Sequence, residues 1–174
     1  MKKSTTRQNS IITNKPNLEE LYTFKNFPVF IGCTEKDFSD DILEDMEIMI
    51  CKDSGMIQLK TLLPMEIVYQ AYHSEAVGGV WMDHHIEFCK FCNKYDIIDV
   101  LEIGGGNGFI ADYYKENFSD IKWTIIDPTP SYKGEKDIKV INGFFNDNFK
   151  MENIDSVIHS HTLEHFYDVH EGLR

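Results

Sequence analysis

The chain reads as an α/β protein built on a doubly wound, mostly parallel sheet, preceded by a small α+β segment. Three observations carry that reading. Residues 96–103, DIIDVLEI, form a near-continuous apolar run, the pattern of a parallel strand covered on both faces. A glycine-rich turn, GGGNG, and an amphipathic helical stretch, FIADYYKENF, follow at once. Short apolar runs, IKWTIID, IKVIN and IDSVIHS, then alternate with polar loops at the spacing of a parallel sheet.

Taken in order, residues 1–17 are polar and aperiodic and read as a flexible tail. Residues 18–80 read as an α+β cap segment. In it NFPVFIGC is a strand, EKDFSDDILEDM an acidic loop with a helical turn, EIMIC a second strand and MIQLKTLL a third. PMEIVYQAYH opens on a proline suited to the first turn of a helix. Residues 81–174 carry the sheet, entered through a helix over WMDHHIEFCKFCNKY. The helix after the glycines is expected to turn Phe109, Ile110, Tyr113 and Phe118 inward. Strands counted this way number about four, against the six of a complete doubly wound sheet, so this domain reads as an incomplete one that roughly a hundred further residues would finish.

Composition narrows the function. With 29 acidic against 17 basic residues and a net charge of -12, the chain lacks the basic patch that phosphate backbones require, so nucleic acid is not an expected partner. Neither a secretory leader nor a membrane-length apolar run is legible, which places the protein in the cytoplasm. Cys33, Cys51, Cys89 and Cys92 do not make a small disulfide framework and are expected as reduced thiols.

The glycine turn discriminates between ligands. Glycines at 104, 106 and 108 allow a tight turn and close approach of a ligand, with helix N–H groups behind them. A dinucleotide fingerprint would put its third glycine at 109, where Phe109 stands. Here the pattern is E-x-G-x-G-x-G: Glu102 would repel phosphates and suit a cationic amino group, while Asp127, ending the next strand, can accept hydrogen bonds from both ribose hydroxyls. Two carboxylates around a turn without Lys or Arg describe an adenosine ligand lacking phosphates, and S-adenosylmethionine fits.

With these residues in view, positions 96–168 resemble the class I S-adenosylmethionine-dependent methyltransferases, which have a Rossmann-like fold. VLEIGGGNG is similar to their first motif, WTIIDP to the acidic end of their second strand, and IDSVIHSHTLEHFYD to their fourth strand and its turn. The resemblance implies that Gly104, Gly106 and Gly108 line the methionine and ribose side and that Asp127 binds the ribose. It further implies Phe144 or Phe145 near the adenine, and Ser160 and His161 near the methionine. The cap is more weakly similar to that of sugar-modifying and capsule-type methyltransferases, which implies a small polar metabolite or nucleotide-linked sugar as acceptor. Some such caps hold zinc through paired cysteines; here Cys33 and Cys51 are single.

Where the acceptor must lose a proton, His165 is the leading candidate base, with His161 beside it, both following the fourth strand at its carboxyl end. Tyr72, His73, Ser74, Trp81, His84 and His85 form the densest polar and aromatic group ahead of the sheet. Other readings start from short motifs. HTLEH taken literally is the H-x-x-E-H of a zinc peptidase, with His161, Glu164 and His165 in the metal and base roles, but that chemistry needs both histidines on a long helix. His85, Cys89 and Cys92 fall on one helix face, which reads more readily as core than as a metal site, so no metal is expected. A non-catalytic cofactor-binding or interaction domain is the alternative to an enzyme.

Overall fold

The computed structural model describes residues 4–29, 37–69, 78–146 and 149–172, and its chain falls into two units, Met1–His73 and Ser74–Arg174. The expected boundary at residues 80 and 81 lies a few positions beyond the observed one. Tyr72, His73 and Ser74, the end of the PMEIVYQAYH stretch, and Cys33 lie outside the described residues.

The first unit is antiparallel. Strand β2 (Leu18–Pro28) pairs with β3 (Leu43–Cys51), which pairs with β4 (Ile57–Leu59). A short strand β1 (Thr5–Thr6) pairs with β5 (Thr61–Leu62), and one helical turn, α1 (Met65–Val68), follows Pro64. Strand β2 starts ahead of the expected NFPVFIGC strand, whose last four residues lie outside the described ones; two register shifts, between Glu20 and Tyr22 and between Phe24 and Phe27, break the alternation that would mark it in sequence.

Of the loose tail expected over residues 1–17, the described part, residues 4–17, is instead folded onto β4 and β5. Arg7 N donates to Lys60 O at 2.8 Å, Ile11 N to Gln58 Oε1 at 2.8 Å, and Gln58 Nε2 to Asn9 O at 3.1 Å. Long-range backbone bonds leave no periodic signature, so a polar stretch that makes them reads as coil.

Ser10 is buried beside Cys51, which is itself wholly buried. The hydroxyls of Ser10 and Ser54, with the backbone N–H groups of Ser54 and Asp53, donate to the sulfur and pull the thiol pKa down to about 6. An unfolded cysteine titrates near 8.5, so between about pH 6 and pH 8.5 the unfolded chain binds the proton that the folded chain has released. Stability is therefore gained as pH rises through that window and lost as pH falls through the folded value. The urea midpoint is expected to climb over this interval in the native chain and to flatten in Cys51→Ala. An unchanged slope in the variant would remove Cys51 from the account.

The second unit is a four-stranded parallel sheet. Helix α2 (Gly79–Cys92) leads to β6 (Asp99–Ile103), helix α3 (Phe109–Asn117), β7 (Lys122–Asp127), β8 (Lys139–Asn142) and β9 (Ser156–His159). The order across the sheet is β8-β7-β6-β9, all pairs parallel. Central strands β6 and β7 are buried along almost their whole length, as expected of largely apolar strands covered on both faces.

On one face Val100, Trp123 and Ile125 pack with Cys89 and Cys92 of α2 and Ile110, Ala111 and Tyr114 of α3. On the other, Leu101, Ile103 and Ile126 are covered by Phe145, Phe149, Met151, Ile154 and Phe166 from the loops. The inward stripe of α3 is thus Ile110, Ala111 and Tyr114, with Phe109, Tyr113 and Phe118 only half-buried. Large aromatic side chains reach the edge of a helix–sheet interface, whereas close approach of helix to strand needs the small Ala111. Cys89 is wholly buried in this cluster, and burial pushes its thiol up to about 12.

Candidate functional site

The sheet order places a reversal between β6 and β9: from β6 the chain steps one way to β7 and β8, then returns to β9 on its other side. In open parallel sheets the connections on the two sides of such a reversal diverge, leaving a crevice at the strands' carboxyl ends. The glycine turn after β6 and the segment Ser160–His161–Thr162 after β9 flank that point. Thr162 Oγ1 lies 3.1 Å from both Ile103 O and Ser160 O, tying the end of β6 to the turn after β9.

The turn itself is left-handed at three glycines, Gly104, Gly106 and Gly108, with φ of +75°, +47° and +77°. Gly104 N donates to Ile126 O at 2.8 Å, and Gly108 N to Gly105 O at 2.7 Å. A Cβ at Gly104 would run into the Thr162 side chain, and one at Gly108 into the Tyr132 ring. Asn107 Oδ1 accepts from Phe109 N at 2.9 Å and satisfies the first free donor of α3.

Asp127, nearly buried at the end of β7, is held from two sides. Its Oδ2 accepts from Gly106 N at 3.1 Å and its Oδ1 from Thr129 N at 2.7 Å. Each carboxylate oxygen has a second lone pair, so the group can still accept from two adjacent hydroxyls. The loop after β7 is strapped to the glycine turn: Ser131 N donates to Gly106 O at 3.1 Å, and Tyr132 OH donates to Asp112 Oδ1 at 2.9 Å.

Glu102 is buried on the helix-covered face of β6, where Oε2 accepts from Trp123 Nε1 at 2.8 Å. Its side chain fills the space that a Cβ at Gly105 would need. Its carboxylate therefore lies beneath the turn, supporting it from below.

The residues after β9 divide. Ser160 Oγ and His84 Nε2 lie 3.0 Å apart, a hydrogen bond in which either can donate. His161 has φ +53°, a conformation in which histidine is more common than most side chains, and its ring lies edge-on to Trp81 at 4.4 Å and to His84 at 4.9 Å. His85 completes the group, 5.5 Å from the His84 ring and 5.5 Å from Phe109. His165 instead ends a single 3-10 turn, Leu163–His165, with an exposed side chain, outside this ring cluster. His161 thus gathers with α2 and His165 does not. No long helix carries HTLEH, and among the described residues no group of three or more His, Cys, Asp or Glu side chains is placed to hold a metal ion.

Burial, then the neighbouring charges of His84 and His161, push the His85 pKa below the ordinary histidine value. A lowered pKa favours neutral His85 in the fold, so its contribution to stability is lost as pH falls through the folded value. NMR titration is expected to find His85 below about 6.5, with His161→Ala moving it upward by removing one repelling charge. No movement would show that His161 is not close enough to act.

Of the two aromatic candidates, Phe145 packs with Phe149 at 5.4 Å and Phe166 at 6.3 Å on the loop-covered face of the sheet, and Phe144 beside it is half-buried. Sequence reasoning missed Thr129, Tyr132 and Thr162. The D-x-T spacing at 127–129 is a local signal for the first, since an aspartate often accepts from the backbone two residues on. The other two meet the glycine turn only through the sheet order, and nothing local marks them. Comparison of the chain with protein-family models and with curated proteins returns no match.

Proposed function

We propose that the chain is a class I S-adenosylmethionine-dependent methyltransferase domain, acting in the cytoplasm on a small polar metabolite or nucleotide-linked sugar. The finer fold assignment goes with it. Counted from β6, the order is 3-2-1-4, the first part of the 3-2-1-4-5-6 order of a doubly wound Rossmann-like sheet. The observation that carries the reading is Asp127. It stands at the carboxyl end of the strand next to the glycine turn, pinned by Gly106 and Thr129, with acceptor capacity left for a vicinal diol.

The residues fit the donor. No Lys or Arg stands in the glycine turn to attract phosphate, and the buried Glu102 below it favours a cationic end. S-adenosylmethionine when bound supplies an electrophilic methyl on a sulfonium. The chain's own part is to align the acceptor, keep water out and, where the acceptor is protonated, receive its proton. His84 and His161 are grouped at the crevice for that last task, and His165 is the less well placed of the expected bases.

Titration calorimetry with S-adenosylmethionine and, separately, with NAD tests the reading. Saturable binding of the first and none of the second is expected. A folded protein that takes NAD, or neither compound, would overturn it.

A further inference from the structure

Adjacent parallel strands are usually joined by a helix that packs back onto the sheet. Residues 128–138, which join β7 to β8, contain none. What fastens them is a set of side-chain bonds to α3. Tyr132 OH donates to Asp112 Oδ1 at 2.9 Å, and the Lys136 ammonium donates to Asp112 O and, at 3.3 Å, to Glu116 Oε2. The Tyr132 ring occupies the space that a Cβ on Gly108 or on Gly134 would need, so the start of α3 and the far side of the loop close on one ring. Burial, then the bond to Asp112, push the Tyr132 pKa above the ordinary tyrosine value, so the phenol keeps the proton it donates.

The same loop holds the groups on which the donor site rests. Thr129 N donates to Asp127 Oδ1 at 2.7 Å, and Ser131 N, next to Tyr132, donates to Gly106 O at 3.1 Å. Gly106 N in turn donates to Asp127 Oδ2 at 3.1 Å. Gly108 is the N-cap of α3 and Asp112 lies one turn on, so the anchor of Tyr132 is fixed to the glycine turn itself. Asp127, the turn, the loop and α3 therefore make a closed circuit of bonds, in which Tyr132 links loop to helix.

We propose that Tyr132 is a positioning residue for the methyl donor: by tying the β7–β8 connection to α3 it sets Thr129 and Ser131, and through them Asp127 and the Gly106 turn, before the donor arrives. This rests on the S-adenosylmethionine reading of the crevice. Tyr132 acts through its loop, and its contribution is ordering that the donor then does not have to supply. Lys136 gives the loop a second hold, so losing the phenol hydroxyl loosens the loop without freeing it.

Calorimetry with S-adenosylmethionine, paired with amide hydrogen exchange of the ligand-free chain followed by NMR, tests this. Tyr132→Phe keeps the ring against Gly108 and removes only the hydroxyl. It is expected to weaken donor binding about tenfold and to speed exchange at Thr129 and Ser131, with amides of the central strands such as Leu101 and Ile125 at native rates. Asp112→Ala should do the same, and the double variant should lose little more than either alone. Asp112→Asn, whose Oδ1 still accepts, should keep most of the affinity. Native exchange at Thr129 and Ser131 in Tyr132→Phe, or native affinity despite faster exchange, would overturn the proposal. So would acceleration throughout the sheet, the mark of a merely structural tyrosine, or an Asp112→Asn variant as weak as Asp112→Ala. A native chain that binds no S-adenosylmethionine removes the donor reading and this role together, whereas native binding with unaffected variants removes this role alone.

Discussion

Asp127→Ala is expected to weaken S-adenosylmethionine binding by about a hundredfold while leaving a folded protein. The magnitude follows from two hydrogen bonds to a charged acceptor, each contributing about 1.5–3 kcal/mol in a partly desolvated site, less the fraction that water restores. The side chain also holds Gly106 N and Thr129 N, so truncation loosens the turn it faces. Asp127→Asn keeps the size and one acceptor oxygen, but its NH₂ group replaces an oxygen that accepts from Gly106 N or Thr129 N as well as one hydroxyl contact, and a loss of about tenfold is expected. The order native, Asn, Ala in calorimetric affinity, with unchanged near-ultraviolet circular dichroism, is the expected result. An alanine variant that is folded and binds like the native chain would remove the carboxylate from the ligand site.

Gly104→Ala carries the second large effect, on stability. The φ of +75° alone costs an L-residue about 1–2 kcal/mol, and the new Cβ must also displace the Thr162 side chain, for a further 1–3 kcal/mol. A total loss of about 2–5 kcal/mol in urea unfolding is expected from these two contributions. Gly55 provides the comparison: its φ is +72°, and nothing lies within 4 Å of where its Cβ would stand. Gly55→Ala should therefore show the backbone cost alone. A Gly104→Ala loss no larger than that at Gly55 would mean that Thr162 does not press on the turn. Combining Gly104→Ala with Thr162→Ala is expected to recover part of the loss, even though Thr162 also gives up its contacts with Ile103 O and Ser160 O.

What was legible in the sequence is what local chemistry fixes. The apolar run ending in Ile103, the glycines after it and the run ending in Asp127 each announce themselves within a few residues, and the parallel strands stand where those runs do. The packed face of α3 was less legible, because the small Ala111 draws no notice beside large aromatics, while the distance between helix and sheet selects for size and leaves Tyr113 and Phe118 packed at the cluster's edge. The N-terminal segment was misread because its order comes from Gln58 and Lys60, some fifty positions away. The cluster at the crevice shows the same limit: Ser160 meets His84, and His161 meets Trp81, across a gap that only the placement of β9 beside β6 closes.

The chain has two tryptophans, and the fold gives them different neighbours. Trp123 is sealed between strand and helix with its indole N–H on a buried carboxylate, whereas Trp81 stands edge-on to the His161 imidazole beyond the end of β9. The two indoles therefore meet different surroundings, one dry and one half-open. Intrinsic emission from Trp123 follows the integrity of the sheet, and that from Trp81 follows the contact between α2 and the turn after β9, so the Trp81→Phe variant isolates the first signal without a label.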